Sequence, residues 1–275
     1  MFGTLIHRWL RIPYTLNVRY NQRPKKARVT ILFIHGIGTS GDQWNEVVTK
    51  LPSNVNVITI DLLGFGNSPM PKWAVYSAKT QARSVLATIF KLHITTPIII
   101  VGHSLGALVG IEMARRYPLL IKSLILCSPP LYRNDTSRFP RSETILRSLY
   151  RAARDHPDRF MQIAELAHKY KLVQGTFNLT HENIDSYMAA LGAMIINQTS
   201  LEDAYSIKIP TLIIRGSLDP IVVPQNFAKL AKANPNISVK TILAGHNIYG
   251  RFIPTVTEVI NNQLRKPRKD AKVSN

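Results

Sequence analysis

The sequence predicts an α/β fold, a doubly wound and mostly parallel sheet interrupted by a helical insertion. Three observations carry this expectation. Short β-branched apolar runs alternate along the chain with segments of helical periodicity, the order that builds a sheet with helices on its faces. Most of the strand-like runs lack polar alternation, as strands buried on both faces do. The rhythm stops between about Pro129 and Ser206, where only helical patterns are found.

In chain order, Leu16 to Tyr20 reads as an antiparallel edge strand. The runs Val29–His35, Val55–Asp61, Pro97–Gly102, Lys122–Cys127, Pro210–Arg215 and Ser238–Leu243 read as the main strands. Helices are expected over Trp44–Leu51, Ala78–Leu92, Leu105–Tyr117, Gln225–Ala233 and Ile253–Leu264. The second of these places Ala82, Val85, Leu86 and Ile89 on one stripe. The patterns SETILRSLYRAARD, DRFMQIAELAHKYKLV and ENIDSYMAALGAMIIN fill the interval 129–206. An insertion of that size between two strands reads as a cap over the strand ends. The expected division is a core of 1–128 and 207–275 with a cap of 129–206 inside a single catalytic domain.

Charge is the unusual feature of the composition. Lys and Arg number 35 against 16 Asp and Glu, a formal +19. Arg8, Arg11, Arg19, Arg23, Lys25, Lys26 and Arg28 precede the first acid, Asp42, and Arg265, Lys266, Arg268, Lys269 and Lys272 crowd the C-terminus. Such an excess attracts anions. No nucleic-acid motif accompanies it, so specific nucleic-acid binding is not expected. The first reading is a solvated basic surface. A weak association with anionic membrane surface is the further expectation, since Arg141, Arg147, Arg151 and Arg154 fall near one face of a cap helix. No apolar run reaches membrane-span length, and Arg8 and Arg11 interrupt the only stretch resembling a signal peptide. With a single cysteine, Cys127, no intramolecular disulfide can form. The expected location is cytoplasmic.

The stretch IIIVGHSLGALVG holds the chemistry. It sets G-x-S-x-G between a strand and a helix, the context in which the motif has meaning. A serine on so tight a turn needs neighbours almost free of side chain two positions before and after, and Gly102 and Gly106 supply them. Ser104 is then a candidate nucleophile at a helix N-terminus, where developing negative charge is favoured. A serine hydroxyl needs a base. His246 follows the last strand as Ala244-Gly245-His246, late in the chain and at a strand end. His103 is expected to point away from the site, and His35 to fix the loop it opens. The base needs a carboxylate. Asp219 stands on the loop after PTLIIR, with Asp135 as the alternative acid, while Asp42 and Asp61 read as loop-fixing residues. The loop His35-Gly36-Ile37-Gly38 has glycines, Gly36 and Gly38, that let backbone amides face a substrate oxygen. The N–H groups of Ile37 and Leu105 are the candidate oxyanion donors.

FIHGIGTSGDQW, DLLGFGNSP, VGHSLGALVG, RGSLDPIV and AGH occur in this order at strand ends. Together they resemble the α/β-hydrolase fold superfamily, in its serine-nucleophile branch with a helical cap. The resemblance covers about Val29 to Leu264 and implies a triad of Ser104, Asp219 and His246, with the Ile37 and Leu105 amides as oxyanion hole. It implies no cofactor and no metal. The branches with aspartate at the nucleophile position, dehalogenases and epoxide hydrolases, are disfavoured by Ser104. The expected function is hydrolysis of a carboxylic ester, with an apolar acyl group, through an acyl-enzyme. Carbon–carbon bond hydrolysis or related cofactor-free chemistry remains an alternative, as does a ligand-binding or signalling role on the same fold.

Overall fold

Successive side chains of a strand point to opposite faces of its sheet, and here both faces are apolar. In the computed structural model, which describes residues 5–133, 141–169, 179–180 and 182–265, Leu32 and Ile34 join one core cluster while Ile31 and Phe33 join the other. The strands are β1 (Val18–Gln22), β2 (Thr30–Ile34), β3 (Asn56–Ile60), β4 (Ile98–His103), β5 (Ile121–Cys127), β6 (Thr211–Gly216) and β7 (Ile237–Ile242). They form one sheet in the order β1-β3-β2-β4-β5-β6-β7. β1 is antiparallel to β3, and the remaining pairs are parallel. Each expected strand is present within two residues of its expected bounds.

The first core cluster packs beneath α1 (Ala78–Lys91) and α2 (Leu105–Arg116), whose buried positions include Ala82, Val85, Ile89, Leu108 and Ile111. The Ser77 hydroxyl caps α1 by accepting from the Thr80 N–H at 3.3 Å. The opposite cluster packs Trp44 and Val47 with Phe252, Val256 and Ile260. The expected helix over Trp44–Leu51 is shorter than its pattern. A 3-10 turn, Gly41–Trp44, runs into one α-turn, Asn45–Val48. The chain then tightens through Lys50 N–H to Val47 O and Leu51 N–H to Val48 O, because Pro52 disfavours helix at the residue before it.

Between β5 and β6 lie α3 (Arg141–Asp155), α4 (Pro157–Lys169), α5 (Ile184–Ala190) and α6 (Ser200–Tyr205). After β6 come α7 (Pro224–Ala233) and α8 (Phe252–Arg265). α5 runs on into a π-helical turn, Leu191–Ile196, where a side chain at Gly192 would crowd the Tyr150 hydroxyl. Leu191, Met194 and Ile195 belong to the same cluster as the sheet face. Gln198 Nε2 donates to the Pro130 carbonyl at 2.8 Å, and Ser186 Oγ donates to Tyr76 Oη at 3.1 Å. The insertion is thus tied both to the end of β5 and to the loop that follows β3. Its basic stripe departs from the expected single face. Arg151 and Arg154 are exposed, whereas Arg147 is half-buried and donates to the Ile196 carbonyl at 3.3 Å. The Arg141 side chain, the alternative acid Asp135 and the tail from residue 266 lie outside the described residues. Among the described residues no helix is long and apolar enough to cross a membrane.

Asp61, at the end of β3, holds the edge of the sheet to the loops above it. Its side chain is fully buried. Oδ1 accepts from the Gly41 N–H at 2.8 Å. Oδ2 accepts from the Asn67 N–H, Asn17 Nδ2 and Arg19 Nε at 2.8 to 2.9 Å. Burial raises its carboxyl pKa, but these donors outweigh burial and hold it below its ordinary value. Asp61→Asn would remove the charge that pairs Arg19 and, in either orientation of the amide, turn a donor toward at least one of these donors. A loss of about 3 kcal/mol in urea unfolding is expected, and a loss under 0.5 kcal/mol would contradict this account.

Candidate active site

The turn after β4 forces one residue into a costly conformation. Ser104 has φ 50 and ψ −116, outside the regions open to most side chains. The cost is about 1–3 kcal/mol. Close backbone approach on either side sustains it. A Cβ on Gly102 would stand 2.6 Å from the Gly106 carbonyl oxygen, and one on Gly106 would stand 2.4 Å from Ile34 O and 2.5 Å from His35 O. The start of α2 is therefore pressed against the end of β2 and the opening of the loop His35–Gly38. Ser104 occupies the position before α2 but makes no capping hydrogen bond. Its hydroxyl is free to turn elsewhere.

It turns to His246. Ser104 Oγ lies 3.0 Å from His246 Nε2, and His246 Nδ1 lies 2.8 Å from Asp219 Oδ2. An ionised carboxylate only accepts, so Nδ1 carries the proton and Nε2 accepts from the serine. The two partner loops are brought together by their strands. Gly216 at the end of β6 abuts the carbonyls of Ala244 and Gly245, and the Leu218 N–H donates to Ala244 O at 3.0 Å. Asp219 has a fully buried carboxylate, whereas His246 keeps 14% of its side-chain surface open to solvent. Burial raises the Asp219 pKa. The hydrogen bond and charge of His246 outweigh it, and the carboxyl is held below its ordinary value. The Ile221 N–H at 2.9 Å acts in the same direction. So does the Ser128 hydroxyl, buried beside Asp219 without a well-formed hydrogen bond of its own.

The loop His35–Gly38 is fixed from beneath. His35 Nε2 accepts from the Leu62 N–H at 2.8 Å, so Nδ1 carries the proton and donates to Gly36 O at 2.6 Å. Gly38 has φ 69, in the left-handed region that glycine tolerates. Gln43 Oε1 takes the Gly36 N–H at 3.1 Å. No hydrogen bond among the described residues uses the N–H of Ile37 or Leu105. Both amides border Ser104 in the fold, Leu105 directly and Ile37 through Gly36, whose Cβ position lies 3.4 Å from Ser104 Cβ.

His103 is the correction to the sequence reading, which turns it away from the site. Its ring is buried under Gly36 and its centroid lies 5.0 Å from that of His246. Gln43 Nε2 donates to His103 Nδ1 at 2.8 Å, and His103 Nε2 then donates to the His246 carbonyl at 2.9 Å. A buried chain of groups thus runs from the glycine loop through Gln43 and His103 to the backbone of His246. Sequence reasoning missed Gln43, which sits on a 3-10 turn with only its place after the glycine loop as a signal. It also missed Ser128, which follows β5 with φ 49.

Burial lowers the pKa of both inner histidines. His35 is held at about 4, and His103 at about 3 with the nearby charge of His246 as a second cause. Unfolded histidines protonate near 6.5. Folding stability from these two groups is therefore fully present above pH 6.5 and is lost as pH falls through about 4 for His35 and about 3 for His103. Near pH 5 unfolding takes up nearly two protons, a slope of about 2.5 kcal/mol per pH unit. Urea unfolding at pH 7, 6 and 5 should show this loss, with His103→Gln roughly halving the slope. A flat profile over that range would contradict neutral buried rings.

The family model described as the alpha/beta hydrolase fold matches residues 29–173, more than half of the chain. In sequence the chain is similar to "Probable lysophospholipase BODYGUARD 2" of Arabidopsis thaliana, 34% identical over 114 residues. That match covers 40% of this chain and 24% of the plant protein. An uncharacterised protein of Mycobacterium tuberculosis is 43% identical over 98 residues, 36% of this chain and 28% of that one. The chain thus matches only about a quarter of the length of these curated relatives. In structure it is similar to a thermophilic esterase from Thermogutta terrifontis, with TM-score 0.72 and 22% identity over 91% of this chain and 93% of that chain. It is also similar to the enol-lactonase from Burkholderia xenovorans, with TM-score 0.74 and 22% identity over 91% and 96%. With the strained strand-to-helix turn at Ser104, the parallel sheet and the family match in agreement, the chain belongs to the alpha/beta hydrolase fold family.

Proposed function

We propose that the protein hydrolyses carboxylic esters through an acyl-enzyme formed on Ser104. The observation that carries this reading is the unbroken chain of hydrogen bonds from Ser104 Oγ to His246 to the buried Asp219. Ser104 Oγ attacks the acyl carbon while His246 Nε2 takes its proton. The amides of Ile37 and Leu105 receive the oxyanion, helped by the N-terminus of α2. The imidazolium passes its proton to the departing alkoxide. Water, deprotonated by the same histidine, then releases the acid. Asp219 holds the tautomer that leaves Nε2 open. Structural neighbours described as an esterase and an enol-lactonase, and a sequence relative named a probable lysophospholipase, support an ester-type bond.

The helices between β5 and β6 are read as a cap that shapes the acyl pocket. Support comes from their ties to the ends of β5 and β3 and from the apolar side chains of Leu191, Met194 and Ile195 in the shared core.

A panel of aryl esters of graded acyl length tests the reaction and sizes the pocket. Ser104→Ala should lose about 10⁴-fold or more in kcat, with Asp219→Ala also severely impaired. A fluorophosphonate probe should label the wild type at Ser104. Ester turnover retained by Ser104→Ala would overturn the assignment. Preference for a vinylogous diketone over every ester, measured as kcat/KM, would move the reaction to carbon–carbon bond hydrolysis.

A further inference from the structure

Cationic and exposed apolar side chains meet at the N-terminal segment. Leu5–Trp9 forms a π-helical turn, and His7 Nδ1 donates to the Ile12 carbonyl at 2.7 Å. Arg11, between them, has φ 54, so the chain doubles back on itself. Arg83 of α1 clamps this turn by donating to the Arg11 carbonyl at 2.9 Å. The His7 ring stacks on Tyr14 at 3.6 Å between centroids, and Tyr14 lies 6.1 Å from Trp73.

These residues surround a cavity of about 440 Å³ between the N-terminal segment, the loop after β3 and the first half of α1. Arg8, Arg11 and Arg83 line it, and among the described residues no carboxylate does. No ion pair among the described residues engages any of the three. Apolar side chains of the lining, Val75 and Ile12, and of the segment between Arg8 and Arg11, Trp9 and Leu10, stand in water. Trp9 is 74% exposed, Leu10 66%, Val75 68% and Ile12 48%.

We propose that this surface docks the protein onto a bilayer containing anionic phospholipid, with a lipid phosphate among the three arginines and Trp9 and Leu10 seated at headgroup depth. The combination of features selects the occupant. A free anion would satisfy the guanidinium groups and leave Trp9, Leu10 and Val75 wet. An apolar protein face would cover those side chains and strand three unpaired cations. A membrane interface takes both, since indole rings favour that depth and each basic residue adds attraction to anionic lipid. The loop after β3 and the start of α1 lie at the carboxyl end of the sheet, the end that also carries Ser104. Docking would therefore turn that end toward the bilayer. The surface stands on its own residues and does not depend on the role given to Ser104.

Co-sedimentation of the full chain with phosphatidylcholine vesicles, and with vesicles carrying about 30% phosphatidylglycerol, tests the proposal. Binding is expected only to the anionic vesicles. It should fall about fivefold for each arginine removed, thus about 25-fold in Arg8→Gln/Arg11→Gln. That variant keeps the Arg11 carbonyl that Arg83 grips. Tryptophan emission should shift to the blue on binding, and Trp9→Phe should reduce the shift, because Trp44 is already fully buried and Trp9, 74% exposed, has more surface to lose to the bilayer than Trp73 at 37%. Equal recovery with neutral vesicles would overturn the proposal. So would undiminished binding by both the arginine variant and Trp9→Ser/Leu10→Ser. A dimer dissolved by these variants, without vesicle binding, would assign the face to a second copy of the chain. Thermal stabilisation by inorganic phosphate alone, again without vesicle binding, would assign the cavity to a free anion. Either result overturns membrane docking.

Discussion

The contact between the backbone of Gly106 and the carbonyls of Ile34 and His35 is the constraint on which the rest of the site depends. It presses the first turn of α2 against the end of β2. Two consequences follow from that one approach. Ser104 is driven to φ 50, which lifts its hydroxyl away from the capping position it would otherwise fill. The loop carrying Ile37 is brought to the same helix terminus, so two unsatisfied amides and the serine share one corner. A methyl group at either glycine would separate these elements. Strain stored at Ser104 is therefore held by packing that begins in the sheet.

Much of this was legible in the sequence because it rests on short-range demands. The tight turn shows as Gly102 and Gly106 around Ser104, and the strand ends show as apolar runs cut off by polar or glycine residues. Asp219 and His246 could be proposed from their places after β6 and β7. What the sequence concealed is contact between segments far apart in the chain. Gln43 reaches His103 across 60 residues, and His103 reaches the His246 carbonyl across 143. Neither contact leaves a periodicity or a motif. Side chains next to each other diverge on so sharp a turn, but for His103 that divergence carries the ring beneath Gly36 and toward His246 instead of away from the site. The helix at Trp44 was overdrawn for a local reason, because apolar spacing continued to Leu51 while Pro52 had already ended the hydrogen-bonding pattern.

Three histidines meet in this corner under different constraints. His35 and His103 are sealed from water, and burial keeps both neutral. Each uses one ring nitrogen as acceptor and the other as donor, so neither tautomer can change without losing a buried partner. That rigidity orients the glycine loop through His35 and the backbone of His246 through His103. His246 alone of the three keeps contact with solvent and has a carboxylate at Nδ1. The Asp219 carboxylate accepts from Nδ1 and so fixes the tautomer in which Nε2 faces Ser104. The fixed neighbours hold His246 in position between Asp219 and Ser104.

The distribution of charge follows a related logic at larger scale. Most cations of a chain with a formal +19 can be solvated at little cost. Arg19 is different, because it neutralises the buried Asp61 and so anchors β1 to the sheet. Arg83 is different again, since it joins the N-terminal turn to α1 through a backbone carbonyl rather than an acid. A guanidinium that bonds a carbonyl keeps its full charge. The turn is thus fixed in place by a group whose charge remains available to an anion, at the end of the sheet where Ser104 lies.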